Sequence, residues 1–199
     1  ELILSCMGSY MTKKFGCKIE GVTMVTFEIE KANKLAKLIG VCDNVRYSLM
    51  DYSNMKFSND YFDRIYTIET LCHSNDIKKT LKEFFRVLKK GSKVAFFEYN
   101  IAKDDKFNKH ELEVIDKVIY STAADSLKDF RPNKFEKIIK DAGFKNIKVD
   151  DLTENVKPSW NRFRRFALIP YSLMKFFNLH RNFTNLMIAI EFYKLIDHN

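Results

Sequence analysis

The stretch YTIETLCHSND (66–76) places a carboxylate, a thiol and an imidazole within five residues: Glu69, Cys72 and His73. An imidazole, with an unperturbed pKa of about 6.5, takes or gives a proton at neutral pH. A carboxylate stabilises a positive charge that develops beside it. Further carboxylates and aromatic groups stand at Asp51, Tyr52, Glu98, Tyr99 and Trp160. Each has a plainer reading as well. Glu69 could be satisfied by nearby backbone amides, His73 could simply open a helix, and Asp51 could be a turn residue. Trp160, the sole tryptophan, could be packing.

Which reading holds depends on the elements that carry these residues. CKIEGVTM (17–24) alternates and is β-branched, so it reads as a strand. In EIEKANKLAKLIG, the residues Ile29, Ala32, Leu35, Ala36 and Ile39 recur at helical spacing and Gly40 stops the helix. NVRYSLMD (44–51) and YFDRIYTIET (61–70) read as the second and third strands. The next helix, to Gly91, has Ile77, Leu81, Phe84, Phe85 and Leu88 on one face, with Ser74 or Asn75 as its cap. SKVAFFEYN (92–100) is apolar enough for a strand buried on both faces. HELEVIDKVIYSTA and RPNKFEKIIKDAG read as helices, the latter with Phe135, Ile138, Ile139 and Ala142 as its stripe, and FKNIKVDDL as a last strand.

Alternating strands and helices predict an α/β fold with a mostly parallel, doubly wound sheet. Ligands of such sheets sit outside the carboxyl ends of the strands. Thr23, Asp51, Glu69 to His73, and Glu98 with Tyr99 all fall at or just past strand ends, which raises the case for a shared site.

Composition is that of a globular chain: 46% hydrophobic and 30% charged over 199 residues. The net charge of +8 comes from lysines spread along the chain. Spread lysines predict a solvated surface, not a nucleic-acid interface. The cysteines at 6, 17, 42 and 72 have no C-x-x-C spacing, which argues against a metal site or a redox pair and for reduced thiols in the cytoplasm. No apolar run reaches the ~18 residues of a spanning helix, and no signal peptide is visible. The chain starts at Glu1, not Met, so a longer natural N-terminus is expected.

Residues 49–100, and most narrowly IETLCH followed by RVLKKG and FFEY, resemble the S-adenosylmethionine-dependent sterol methyltransferases. The likeness continues more weakly through LTENVKPSW and NLHRNFTNLMIAIEFYKL. It implies a class I methyltransferase-like sheet with S-adenosylmethionine as cofactor and a sterol or related lipid as substrate. Carried over, Thr23 takes the ribose side of the cofactor, and Asp51 with Tyr52 the adenine side. Glu69, Cys72 and His73 come near the methyl group and the substrate. Methylating an alkene carbon creates positive charge and then releases a proton. That chemistry suits Glu69 and Glu98 as carboxylates and His73 as proton acceptor. It also suits Tyr99 and Trp160 as aromatic faces against the substrate.

The resemblance has departures. The family's glycine loop should fall in ELILSCMG, where only Gly8 stands, and the first strand and the final strand are expected to be missing. The fold is therefore expected to be incomplete. Residues 1–152 form the cofactor-binding domain and residues 153–199 a helical C-terminal lid on the substrate side. The segment 160–183 interleaves apolar residues with Arg162, Arg164, Arg165, Lys175 and Arg181, and Pro170 should bend or split a helix there. Such a segment lines a lipid pocket or rests in a membrane interface, which would set the chain peripherally on the endoplasmic reticulum membrane. Two other readings stay open: a catalytically silent lipid-binding module, and a methyltransferase for a small acceptor such as an amine or a quinone precursor.

Overall fold

A computed structural model describes residues 3–176. Phe177, Arg181 and the stretch 178–195 lie outside the described residues. The chain divides into two compact units, residues 1–68 with 78–96 and residues 69–77 with 97–199.

In the first unit, α1 (Ile3–Phe15) leads into β1 (Ile19–Thr23), α2 (Thr26–Ile39) and β2 (Val45–Leu49). β1 and β2 pair in parallel, in register from Ile19 opposite Val45 to Thr23 opposite Leu49. Parallel neighbours need a crossover, and α2 supplies it. Its small buried residues Ala32 and Ala36 let the helix lie close to the strands, packing with Val41, Val45 and Tyr47. Gly40, at φ 80°, ends α2 with its N–H on the carbonyls of Ala36 and Lys37.

β3 (Phe62–Ile68) and β4 (Leu88–Phe97) form a second two-stranded sheet. The N–H of Tyr61 donates to Val87 and that of Glu69 to Phe97, both at 2.8 Å. The partners advance together along both strands, as parallel strands do. Parallel pairing and helical crossovers are therefore present, among the described residues as two strand pairs and not one continuous sheet.

Between β3 and β4 runs α3 (Ile77–Val87). Its buried stripe is Ile77, Thr80, Leu81, Phe84 and Val87. Phe85, expected on that stripe, is exposed. It lies about 100° round the helix from Phe84. The helix also ends at Val87 instead of Gly91, which sits inside β4 at φ 76°.

The degenerate glycine loop expected over residues 1–8 is not a loop, since Ile3–Phe15 is helical. Gly8 has a packing reason. A Cβ there would come within 3.0 Å of the Tyr47 hydroxyl and 3.4 Å of Ile19.

The second unit contains α4 (Lys109–Thr122), α5 (Lys134–Asp141) and α6 (Thr153–Phe176). Asn108 and Glu111 form a reciprocal capping box at the start of α4. The core includes Leu71, Ile115, Val118, Phe130, Ile138 and Ile139. FKNIKVDDL, expected as a strand, is irregular. Val149 and Leu152 are exposed, and no strand among the described residues pairs with it. A strand without a ladder partner leaves its backbone groups to solvent. α6 runs through Pro158 and Pro170 without splitting. A proline inside a helix forfeits one backbone hydrogen bond and crowds the carbonyl four residues before it, yet the helix continues through both.

Candidate active site

Two sets of expected site residues come together, each at the carboxyl end of a strand pair. At the end of β1 and β2, Thr23 lies opposite Leu49, and the N–H of Met50 donates to the Thr23 carbonyl at 3.0 Å. The Thr23 hydroxyl donates to Glu28 at 2.6 Å and accepts from the N–H of Val25 at 3.2 Å. Two residues on, Asp51 is exposed, and its Oδ1 accepts from the N–H of Ser53 at 2.7 Å. This is an aspartate turn, as its plain reading has it, but the turn uses Oδ1 alone. Tyr52 is half-buried, its ring edge-on to Phe84 at 6.2 Å.

The second set gathers just past β3 and β4. Glu69 follows Ile68 with φ 50°, a left-handed conformation uncommon for a residue with a side chain. Its N–H bonds the Phe97 carbonyl, so the ends of the two strands are tied where the site residues begin. The Tyr99 hydroxyl donates to the Glu69 carboxylate. Burial, and then that bond, push the phenol far above its ordinary value, so Tyr99 is neutral at any working pH.

Glu98 reaches back to the same loop. Its Oε1 accepts from the N–H groups of Thr70 at 3.2 Å and Leu71 at 3.0 Å. The role of satisfying backbone amides, plausible for Glu69 from sequence, thus belongs to Glu98. Cys72 is buried, and its thiol donates to the Glu69 carbonyl. Burial first, and then Glu98 and Glu69, raise that thiol to about 12. It is therefore a protonated thiol at neutral pH and no nucleophile. Trp160, on α6, meets Tyr99 edge-on at 6.5 Å, and Phe163 follows at 6.1 Å from Trp160.

His73 is turned to the end of α4. Its Nδ1 lies 3.1 Å from the Ala123 carbonyl. A carbonyl only accepts, so Nδ1 carries the proton and Nε2 is the basic nitrogen of the neutral ring. The turn Leu71–His73 is fixed further by the Ser126 hydroxyl, 2.6 Å from the Ser74 carbonyl. The loop is thus held from both sides. Glu98 grips its start, and His73 and Ser126 grip its end.

The arrangement has a clear electrostatic sense. Two carboxylates face a phenol and a thiol that both stay neutral, with indole and phenyl rings beside them. Such a site favours a cation beside it. Its potential suits a sulfonium, so these residues fit S-adenosylmethionine as cofactor.

Sequence reasoning overlooked one arrangement that bears on the first set. Glu83 and Arg86 of α3 bind the backbone at Met55 and Phe57, a few residues after Asp51. The Glu-x-x-Arg spacing, which puts both groups on one helix face, was the available signal.

The methyltransferase-domain family model matches residues 4–96. The chain is similar to the sterol 24-C-methyltransferase of Saccharomyces cerevisiae, with 27% identity over 88% of this chain and 48% of that one. It is also similar to an S-adenosyl-L-methionine-dependent Diels-Alderase of Talaromyces variabilis, with 24% identity over 90% of this chain and 63% of that one. The chain thus spans about half to three-fifths of the length of these relatives. Among solved structures, geranyl diphosphate C-methyltransferase from Streptomyces coelicolor A3(2) superposes with a TM-score of 0.67. The identity there is 16%, over 76% of this chain and 53% of that one. The fold is that of the class I methyltransferases, present in part; residues 4–96 match the methyltransferase-domain family, and the chain is similar to the S-adenosylmethionine-dependent sterol methyltransferases.

Proposed function

We propose that this chain forms part of an enzyme that methylates a carbon of a sterol-like lipid. The observation that carries the reading is the cluster of Glu69, Cys72, Glu98 and Tyr99 past β3 and β4, with Trp160 against Tyr99. Its negative potential and aromatic faces suit a reaction in which positive charge moves onto a carbon. The likeness to a sterol 24-C-methyltransferase supports the substrate class.

S-adenosylmethionine, when bound, supplies an electrophilic methyl group on a sulfonium. On the cofactor side, Asp51 offers Oδ2 to an exocyclic amine, with Tyr52 beside it and Thr23 toward the ribose. Glu69 attracts the positive charge, and its bond from Tyr99 fixes the carboxylate in place. The Tyr99 and Trp160 rings stabilise charge on the acceptor carbon through their faces. His73 Nε2 takes the proton that restores a neutral product. Cys72 packs against the substrate as a neutral thiol. In this reading residues 1–152 serve the cofactor, and the residues from 153 on serve the substrate.

The test is transfer of labelled methyl from S-adenosylmethionine to a sterol with a side-chain alkene. Glu69→Gln and His73→Ala should each slow turnover while the melting temperature stays near that of wild type. Transfer only to a small amine or a quinone precursor would overturn the sterol reading. Cofactor binding without any transfer would make the chain a silent binding module.

A further inference from the structure

α6 has apolar groups on two opposite sides. Ala167 and Tyr171 face inward and are buried. Phe166, Ile169 and Leu173 face outward, at 77%, 80% and 60% exposure. At 3.6 residues per turn these three lie within an arc of about 60°, almost opposite the buried pair. A helix that meets water on its outer side carries polar residues there. α6 carries a strip of large apolar ones.

The charge around that strip is of one sign. Arg162 lies in line with it, one turn before Phe166, and Arg165 lies on its flank, both exposed. From Asn155 to Ile190 the sequence holds no Asp or Glu. No described helix is long and apolar enough to cross a membrane. An apolar strip edged by cations, on a helix that cannot span, fits the headgroup layer of a bilayer with anionic lipid. A second copy of this chain would bring arginine against arginine, and so fits less well.

We propose that the Phe166–Ile169–Leu173 face of α6 docks on an anionic lipid surface. The three side chains enter the acyl boundary, and Arg162 and Arg165 stay at the level of the phosphates. This surface is separate from the Glu69 cluster, and the inference does not depend on the chemistry proposed for it.

The experiment is sedimentation of the full chain with phosphatidylcholine vesicles, and with vesicles of phosphatidylcholine mixed with phosphatidylserine. The chain should bind the mixed vesicles more tightly and lose that preference in high salt. Ile169→Asp should weaken partitioning about tenfold with an unchanged circular dichroism spectrum. Arg162→Gln should weaken it about fivefold on the mixed vesicles only, roughly 1 kcal/mol for one cation at such a surface. Three results would overturn the proposal. One is equal or absent binding to both vesicle types. Another is a dimer that Ile169→Asp dissociates while vesicle binding persists. The third is a melting temperature that Ile169→Asp lowers without any change in partitioning, which would put the strip under the chain's own residues.

Discussion

The Glu83 carboxylate holds the Arg86 guanidinium through two hydrogen bonds, 2.8 Å to Nε and 2.7 Å to Nη2. A fork of this kind is fixed in direction as well as charge. The guanidinium uses its remaining N–H groups on the carbonyls of Met55 and Phe57 and on the Asn59 side chain, and Glu83 accepts from the N–H of Met55 at 2.7 Å. One ion pair on α3 therefore fixes the chain that follows Asp51.

Arg86→Ala should free this segment. Hydrogen bonds to charged groups contribute about 1.5–3 kcal/mol where desolvated. Arg86 is a third exposed, so a loss of about 2 kcal/mol is expected in urea unfolding. Faster hydrogen exchange should appear at Met55, whose N–H bonds Glu83. An unchanged midpoint would mean the contacts form without contributing.

The same pair sets a pH dependence. Its bond to Arg86 lowers the Glu83 carboxyl below its ordinary value. A lowered folded-state value contributes stability above the unfolded pKa of about 4.3, and loses it as pH falls through the lower folded value. Glu83→Gln should therefore be less stable than wild type at pH 7, with the gap narrowing on acidification. Urea midpoints at neutral and acid pH check the sign, and a gap that widens in acid would refute it.

Cys72 should resist alkylation. It is 4% exposed, and its thiol is raised to about 12, so thiolate is scarce at pH 8. Cys6 and Cys42 are exposed. Mass spectrometry after a short iodoacetamide pulse should find both labelled and Cys72 intact until denaturant is added. Cys72 labelling at the rate of Cys6 would show that the loop opens readily.

Asp51→Ala should weaken S-adenosylmethionine binding about thirtyfold in calorimetry, roughly 2 kcal/mol and within the ~1.5–3 kcal/mol range for hydrogen bonds to charged groups. Asp51→Asn keeps the acceptor for the Ser53 N–H and should lose less. Equal affinities across the series would remove Asp51 from the cofactor site.

Local periodicity made much of the fold readable. The Ala32–Ala36 face of α2 and the strand–loop order around Glu69 follow from patterns a few residues long. The misreadings have a common origin. FKNIKVDDL alternates like a strand, but a strand also needs a neighbour, and that is a long-range fact. Phe85 is as apolar as Phe84, and only the exact rotation of α3 separates them. The site was legible in its residue types and not in its partners. His73 meets Ala123 from 50 positions away, and Glu98 reaches Leu71 across 27. No spacing in the sequence announces such pairs.

The backbone of Glu69 is the place where the chain is least at ease. Glycine adopts φ near 50° freely and asparagine does so more readily than most residues, whereas glutamate is held there at a cost on the order of 1 kcal/mol or more. Glu69→Gly or Glu69→Asn would relax the bend after β3 and discard the carboxylate that receives the Tyr99 hydroxyl. A laboratory selection for heat resistance alone would thus tend to erase this glutamate, and a selection for turnover would restore it. The strain makes Glu69 a position where durability and chemistry pull the sequence in opposite directions.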